Sequence, residues 1–186
     1  MIAWRICKAR HQAVALSGEG AAKFPGRWNS AGRRVVYLGE SRSLAALETL
    51  VHVEDLSLLS AIAWIAIPVS FDDSLILRPH EFPADWNAIP PATSTRQFGD
   101  RWIDERRSAV LRVPSVVTQG EFNYLLNPAH PDFMHIKTGI PESFAFDKRM
   151  RRPGVGGMDP HEATKTRRTE DMPAMHRTLE EGRASS

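Results

Sequence analysis

Apolar and polar residues alternate in the first part of the chain in a way that predicts β-strands. Ile2, Trp4 and Ile6 are separated by small or charged residues, a pattern typical of a strand with one buried face. A run of β-branched and aromatic residues at 35–38 predicts a second strand. Between them, the segment 17–34 is rich in Gly, Ser, Lys and Arg, and we expect it to form a long ordered loop.

The next segment predicts one helix and a third strand. Ser41 or Ser43 can cap a helix that continues to about Val53. The apolar run at 61–67 has the length and composition of a buried strand, which we expect to end at Pro68.

The second half of the chain mixes short strands, loops and one helix. In chain order, the pattern predicts a strand at 75–77, a loop at 79–91, a helix at 95–111, a strand at 113–118, a turn at 127–131 and a strand at 144–146. Because strands and helices mix without a regular βαβ alternation, the predicted class is α+β.

The composition of the chain changes at Lys148. No aromatic residue follows Phe146, 153–157 is a Pro-Gly segment, and the remainder is polar and charged. Such a sequence cannot bury enough apolar area to offset the entropy lost on ordering. We therefore predict one domain over 1–149 and a basic, mostly disordered tail over 150–186.

Charge is distributed unevenly between these two parts. The chain has a net charge of +2, but residues 148–186 hold nine Lys or Arg and six Asp or Glu. The remaining residues hold 15 basic and 16 acidic side chains, a net charge of −1. This near balance disfavours a large phosphate-binding surface on the folded part.

The cysteine content and the first residues indicate the compartment. A single cysteine, Cys7, cannot form an internal disulfide, which fits a reducing cytosol. The N-terminus lacks a basic region followed by an apolar run, so no signal peptide is predicted. The apolar run at 61–69 is too short to cross a bilayer as a helix. We expect a cytoplasmic protein without a membrane segment.

Glu48 is the most informative charged residue of the predicted helix. It lies four residues after Leu44 and three before Val51, at the border of an apolar stripe. A carboxylate in this position either reaches solvent at the rim of the core or points into a cleft. The spacing alone favours the rim, and a surface contact with His52 fits the pattern as well.

Four further residues have both a functional and a structural interpretation. Arg27 follows a glycine and precedes an aromatic residue, so it can bind a phosphate through two N–H groups, although an exposed loop arginine fits equally. A ligand site can be lined by Tyr37, Ser115 and Asn123. Core packing also explains Tyr37, a structural role in a strand explains Ser115, and turn formation explains Asn123.

No motif indicates a metal ion or a phosphate-binding glycine loop. His130, Asp132 and His135 are close in sequence, but they lack the spacing of a zinc motif and no C-x-x-C pair accompanies them. The chain contains no G-x-x-x-x-G-K-[ST], G-x-G-x-x-G or G-x-S-x-G sequence. We therefore predict no metal site.

Six short segments, taken in order, resemble the RES domain family. They are Gly26-Arg27-Trp28-Asn29-Ser30, Val35-Val36-Tyr37, Leu44 to His52, Val113-Pro114-Ser115, Asn123 to Pro128 and Phe144-Ala145-Phe146-Asp147. The resemblance covers residues 2–149, and the number and order of the segments make it specific. The arginine, glutamate and serine that give the family its name correspond to Arg27, Glu48 and Ser115.

This resemblance implies an ADP-ribosyltransferase-like fold, with a mixed β-sheet and flanking helices, and NAD as the substrate. It implies the toxin of a type II toxin–antitoxin system, which arrests growth and is inhibited by a helical antitoxin of the Xre type. Members of the family differ in the acceptor, which is water, phosphate or a protein. The resemblance leaves open a homodimer within the toxin–antitoxin complex.

The implied reaction gives a role to each of five residues. Breaking the nicotinamide–ribose bond places positive charge on the ribose, and Glu48 would stabilise that charge. Arg27 would hold the pyrophosphate, and Tyr37 would stack on the nicotinamide ring or line its pocket. Ser115 and Asn123 would bind ribose or amide groups. No metal is required, because nicotinamide is already a good leaving group.

Two other functions compete with this hypothesis. The basic tail and the five tryptophans fit a toxin that targets nucleic acid, but the net charge of −1 on the remaining residues disfavours it. The second alternative is a non-catalytic binding module with a degenerate site. The presence of Arg27, Tyr37 and Glu48 together argues against that module.

Overall fold

A computed structural model of the protein describes residues 1–53 and 55–150, which form one eight-stranded β-sheet with helices packed on it. The strands are β1 (Ile2–Lys8), β2 (Val36–Gly39), β3 (Trp64–Ser70), β4 (Ile76–Leu77), β5 (Val110–Pro114), β6 (Phe122–Leu126), β7 (Lys137–Thr138) and β8 (Glu142–Phe144). The helices are α1 (Glu19–Lys23), α2 (Arg42–Leu50) and α3 (Thr93–Asp104). Segments of 3-10 helix lie at Ala9–Val14, Leu56–Ser60, Asp73–Leu75, Pro131–His135 and Lys148–Met150.

The sheet is mixed. Its strand order is β4-β5-β6-β2-β1-β3-β7, and β8 pairs with β3. Strands β4 and β5 are parallel, whereas the other paired strands are antiparallel. The predicted α+β class, with a mixed sheet and flanking helices, is therefore confirmed.

The two faces of the sheet bury different side chains, because successive residues of a strand point to opposite sides. One face is covered by a single apolar cluster that includes Val36, Leu38 and Leu126. The other face carries two separate clusters, one beneath α2 and one beneath α3. Tyr37 points to this second face, at the border of the α3 cluster. Strand β2 thus contacts both of these clusters, because Tyr37 borders the α3 cluster and Gly39 lies against Ala45 of the α2 cluster.

Strand β3 continues through Pro68, where the sequence pattern predicts its end. It extends from Trp64 to Ser70. The carbonyl of Pro68 accepts a hydrogen bond of 2.8 Å from the backbone nitrogen of Gly139. The proline nitrogen points to this same side of the strand, between the parts of β3 that pair with β8 and β7. The missing N–H is therefore tolerated there.

Helix α3 is shorter than the predicted helix at 95–111, because it ends at Asp104. Arg106 has a φ of 49°, which interrupts the helical backbone. Residues from Val110 onward form β5, so the strand predicted at 113–118 begins and ends earlier than expected. Pairing with β6 buries apolar residues that resemble the continuation of an amphipathic helix.

Two segments predicted to be irregular contain regular structure. Helix α1 lies inside the predicted loop at 17–34. Strand β6 occupies the segment from Asn123 that the sequence presents as a turn, because polar ends conceal the buried run of Tyr124, Leu125 and Leu126. The predicted strand at 35–38 is confirmed as β2, and the predicted cap at Ser41 is confirmed on α2.

Among residues 1–53 and 55–150, no helix has both the length and the apolar composition needed to cross a membrane. The longest of these helices, α3, has 12 residues. The tail predicted over 150–186 lies outside the described residues except for Met150. Its disorder and the division after residue 149 stay predictions.

Candidate active site

Helix α2 places Glu48 beside the centre of the sheet. Ser41 caps the helix by accepting a hydrogen bond of 3.0 Å from the backbone nitrogen of Leu44. Leu44 and Ala45 are buried against the sheet. Gly39, at the end of β2, permits this contact, because a Cβ there would lie 2.5 Å from the nitrogen of Ala45. Glu48 follows within a turn and is partly exposed at the border of the buried stripe.

One carboxylate oxygen of Glu48 accepts hydrogen bonds from two neutral side chains. The hydroxyl of Ser115 donates to Oε1 over 2.8 Å, and Nδ2 of Asn123 donates to the same atom over 2.6 Å. Ser115 directly follows β5 and Asn123 lies on β6. The second oxygen, Oε2, makes no hydrogen bond to another described residue. Three distant segments thus meet at one carboxylate and leave half of it open.

The hydroxyl of Ser115 is oriented by its own surroundings. Ser115 is 1% exposed. Its Oγ accepts hydrogen bonds of 3.1 Å from the backbone nitrogens of Val117 and Thr118. Because these N–H groups can only donate, the proton of the serine hydroxyl is left for Glu48. The carboxylate is therefore held by a donor whose direction is fixed by the backbone.

Arg27 lies in the same region and uses one end of its guanidinium to hold a neighbouring loop. Its Nη1 donates hydrogen bonds of 2.8 Å to the carbonyls of Trp86 and Ala88. Burial lowers the pKa of Arg27, and the nearby Glu48 and Tyr37 raise it by smaller amounts. Neither Nε nor Nη2 of Arg27 bonds to another described residue. This free edge is available to an anionic ligand.

The Gly-Arg-Trp-Asn segment at 26–29 folds around Tyr37. The hydroxyl of Tyr37 donates a hydrogen bond of 2.8 Å to Oδ1 of Asn29, and it accepts one of 3.2 Å from the backbone nitrogen of Trp28. A Cβ at Gly26 would lie 2.6 Å from the same hydroxyl, so only glycine fits there without displacing the ring. Burial raises the pKa of Tyr37 well above its usual range, so its hydroxyl stays neutral at assay pH.

Arg5 on β1 contacts the backbone of Tyr37, although the sequence pattern did not indicate it. Its Nη1 donates a hydrogen bond of 2.9 Å to the carbonyl of Tyr37. Among the described residues its buried Nε has no partner, and the same holds for the buried Oδ1 of Asn123. Burial lowers the pKa of Arg5. An arginine inside an otherwise apolar strand was the signal that could have identified it.

The five residues selected from the sequence therefore lie in one region of the structure. Glu48 contacts Ser115 and Asn123 directly. Arg27 and Tyr37 lie close enough for electrostatic interaction with Glu48. Glu48 thus lies at the border of the buried stripe, as its spacing predicts, and its carboxylate is held there by polar side chains of the sheet. The roles of the five side chains in catalysis and binding stay predictions.

A concave surface beside α3 shares none of these residues. It is lined by Phe98, Trp102 and Leu111 together with Arg101, Arg107 and Glu105. Within the part of the chain that the structure describes, no cluster of three or more His, Cys, Asp or Glu side chains is placed to bind a metal ion. The predicted absence of a metal stays a prediction.

Comparison with known proteins identifies the family. The model of the RES domain matches residues 2–147. "Toxin Res" of Yersinia enterocolitica (serotype O:8 / biotype 1B) is 38% identical over 152 residues, which cover 81% of this chain and 100% of the relative. The "Prs ADP-ribosylating toxin" of Sphingobium sp. (strain YBL2) is 40% identical over 154 residues, which cover 80% of this chain and 96% of the relative.

The fold also has a counterpart among solved structures. A chain of the crystal structure of the M. tuberculosis MbcT-MbcA toxin-antitoxin complex matches with a TM-score of 0.57 and 16% identity, covering 77% of this chain and 84% of that chain. At this identity the likeness concerns the fold alone. The match to the family model spans the sheet, α2 and all five selected residues. Together with the two relatives, it confirms the resemblance seen in the sequence. This chain belongs to the RES domain family.

Proposed function

We propose that this protein is the toxin of a type II toxin–antitoxin system and that it arrests growth by breaking the nicotinamide–ribose bond of NAD. The Glu48 carboxylate carries the proposal, because one oxygen is held by Ser115 and Asn123 while the other is open. The names of the relatives, Toxin Res and Prs ADP-ribosylating toxin, support a toxin that acts on NAD, the usual donor of ADP-ribose.

In the proposed reaction, the bond between the ribose C1′ and the pyridinium nitrogen breaks, and its electron pair leaves with nicotinamide. Positive charge then develops on the ribose, as it does in glycoside hydrolysis. The open oxygen of Glu48 would face this charge. Ser115 and Asn123 already fix the carboxylate, so little reorganisation is needed as the charge appears. The acceptor then forms a bond to C1′ and releases a proton.

Arg27 and Tyr37 would position the two ends of the substrate. The free Nε and Nη2 groups of Arg27 would bind the pyrophosphate, because a guanidinium matches two phosphate oxygens. The hydroxyl of Tyr37 is hydrogen-bonded both as donor and as acceptor. Tyr37 would therefore contribute its ring to the nicotinamide pocket and would transfer no proton. The buried, unpartnered Oδ1 of Asn123 would accept a hydrogen bond from the carboxamide or a ribose hydroxyl.

The acceptor is water, phosphate or a protein side chain, so the activity is that of an NAD glycohydrolase, an NAD phosphorylase or an ADP-ribosyltransferase. The purified protein is incubated with NAD alone, with NAD and phosphate, and with NAD and cell lysate, and the products are identified by mass spectrometry. We expect free nicotinamide in at least one mixture, together with ADP-ribose, its phosphate or a modified protein. Intact NAD in all three mixtures would contradict the proposal.

A second part of the proposal concerns a partner in the cytoplasm. The solved structure that shares the fold is a toxin-antitoxin complex, which supports an antitoxin for this chain as well. We expect a helical antitoxin of the Xre type that covers the region of Arg27 and Glu48, in an assembly that can include a toxin homodimer. Co-expression with the neighbouring gene product, followed by light scattering of the purified complex, tests the partner and the stoichiometry. Restored growth without a stable complex would contradict direct inhibition.

A further inference from the structure

We propose that Asn29 is a positioning residue, which fixes the ring of Tyr37 and the loop carrying Arg27 in one arrangement. Asn29 acts through these two residues. The inference rests on the proposed function, because that function assigns Tyr37 and Arg27 to NAD binding. The contacts that carry it are features of the fold and can be measured without NAD.

Asn29 is fully buried, with 0% of its surface exposed, and its whole hydrogen-bonding capacity is used. Its Oδ1 accepts hydrogen bonds of 3.0 Å from the backbone nitrogen of Gly26 and of 2.8 Å from the hydroxyl of Tyr37. Its Nδ2 donates hydrogen bonds of 2.9 Å to the carbonyl of Ala21 and of 3.1 Å to that of Ser30. One side chain thus joins α1, the Gly-Arg-Trp-Asn segment and strand β2.

The polarity of these partners leaves one orientation for the amide. The N–H of Gly26 can only donate, and the backbone carbonyls can only accept. A half-turn of the amide would place Nδ2 against that N–H and Oδ1 against the carbonyls. Oδ1 is therefore held towards Tyr37. Arg27 lies between Gly26 and Asn29, so its backbone is held on both sides by the same amide.

Asn127 provides a matched control in the same chain. It is also 0% exposed, and it donates a hydrogen bond of 3.1 Å to the carbonyl of Ile103 and accepts one of 3.0 Å from the nitrogen of Ala129. It follows the end of β6 opposite to Asn123 and has no hydrogen bond to Arg27, Tyr37 or Glu48. Replacing either asparagine removes a buried amide, but only Asn29 contacts the site.

The first experiment compares Asn29→Ala with Asn127→Ala in the full chain. Both variants are expected to lower the Tm. We expect Asn29→Ala to raise the Kd for NAD, measured by calorimetry, and to lower kcat/KM by about tenfold to a hundredfold, because small misplacements of positioning groups have effects of this size. Asn127→Ala should leave both values unchanged. Equal losses of affinity in the two variants would show a general effect of stability and overturn the inference.

A double-mutant cycle then tests whether Asn29 acts through Tyr37. Tyr37→Phe removes the hydroxyl that donates to Asn29 and keeps the ring. If the two residues work as a unit, the double variant should lose little more affinity than the more damaged single variant. Losses of NAD affinity that simply multiply would overturn the coupling.

A third measurement needs no NAD. A buried phenol proton bonded to Asn29 exchanges slowly with water, and we expect its NMR signal in the wild type and in Asn127→Ala but not in Asn29→Ala. Its persistence in Asn29→Ala would overturn the inference. If the wild type neither binds nor consumes NAD, the proposed function fails, yet this signal still decides the role of Asn29.

Gly26→Ala replaces Asn29→Ala in these measurements if the Asn29→Ala protein does not fold. The added Cβ would lie 2.6 Å from the Tyr37 hydroxyl and displace it while Asn29 remains. We expect the same loss of NAD affinity and of the phenol proton signal. Normal affinity with a displaced hydroxyl would overturn the positioning role.

Discussion

Two carboxylate clusters, one at Asp100 and Asp104 and one at Glu48, are held by different partners. In the first, Arg33 binds Asp104 through Nε and Nη2, with a shortest distance of 2.7 Å, and Asp100 lies 3.5 Å from Nη1. Asp100 also accepts a hydrogen bond of 2.8 Å from the backbone nitrogen of Ser30. These contacts fasten the loop to α3, and each carboxylate faces a cation.

The second cluster contains no cation in hydrogen-bonding contact with its carboxylate. Glu48 is held by a hydroxyl and an amide, and its second oxygen has no described partner. A guanidinium cancels most of the field of a carboxylate, whereas neutral donors fix its position and leave that field available to a cation. The comparison suggests a criterion: a carboxylate that stabilises the fold is paired with a cation, and one that acts on a substrate is held by neutral donors.

The strongest test of this comparison is Glu48→Gln, with Asp104→Asn as its control. Loss of a preorganised charge commonly lowers turnover by about a hundred- to a thousandfold. We expect a loss of that size in Glu48→Gln and normal turnover in Asp104→Asn. Turnover is measured as NAD consumption at matched folded concentration, checked by circular dichroism. Near-normal turnover in Glu48→Gln would remove Glu48 from the mechanism.

Arg27 and Arg33 should differ in the same way, because we expect only the substitution of Arg27 to weaken NAD binding. Arg27→Lys keeps the charge, but an ammonium cannot hold the carbonyls of Trp86 and Ala88 and also present a second pair of N–H groups. A hydrogen bond to a charged group contributes about 1.5–3 kcal/mol, so we expect the Kd for NAD to rise by about ten- to a hundredfold. Arg33→Lys should leave that Kd unchanged in the same calorimetric titration. Similar changes in both variants would contradict the assignment of Arg27 to NAD binding.

The sequence predicts the helix that carries Glu48, but it does not predict that Glu48 contacts Ser115 and Asn123. Glu48 and its helix follow from a period of apolar residues and from the cap at Ser41. The two hydrogen bonds to Glu48 join residues 67 and 75 positions apart. Such contacts depend on the order of strands in the sheet, which no local pattern determines. Only the resemblance to the family placed these residues together.

The elements that were predicted incorrectly share one cause. Pro68 is tolerated in β3 because its nitrogen faces a gap between neighbouring strands, and β5 begins inside a predicted helix because β6 pairs with it. In both places the pairing of strands determines the structure, although the local sequence favours the end of a strand or the continuation of a helix. Arg5 was not selected from the sequence for the same reason. Its hydrogen bond to the carbonyl of Tyr37 depends on β2 lying next to β1, which the local pattern does not determine.

Ser115→Ala tests how far Glu48 depends on its neutral donors. The substitution removes one donor to Glu48 and leaves the backbone nitrogens of Val117 and Thr118 without their acceptor. We expect a stability loss of about 1–3 kcal/mol and a fall in turnover of about tenfold. Ser108→Ala is the control, because Ser108 joins Trp102 of the α3 cluster to the backbone carbonyl of Val110. Ser108→Ala should lose stability without losing turnover per folded molecule, and an equal fall in turnover would contradict the distinction.

Alkaline pH should reveal the burial of Tyr37. Its pKa is raised in the folded protein, so folding favours the neutral phenol. The resulting stability is fully present below the unfolded-state pKa of about 10 and is lost as the pH rises further, by up to about 1.4 kcal/mol per pH unit. We expect the free energy of unfolding to fall above this pH more steeply in the wild type than in Tyr37→Phe. Equal slopes would show that the hydroxyl of Tyr37 is not buried as described.

The smallest expected effect is the change in stability caused by Asp104→Asn. The ion pair with Arg33 has good geometry, but its side chains are 36% and 52% exposed. Exposed pairs contribute about 0–1 kcal/mol because water and salt screen them. For a domain of this size such a loss lowers the Tm by at most about 2–4 °C. Thermal unfolding followed by circular dichroism should show this difference at low salt and a smaller one at high salt. A larger decrease in Tm that does not depend on salt would mean that Asp104 stabilises the fold through more than its charge. The difference between Asp104 and Glu48 could then no longer be attributed to pairing with a cation.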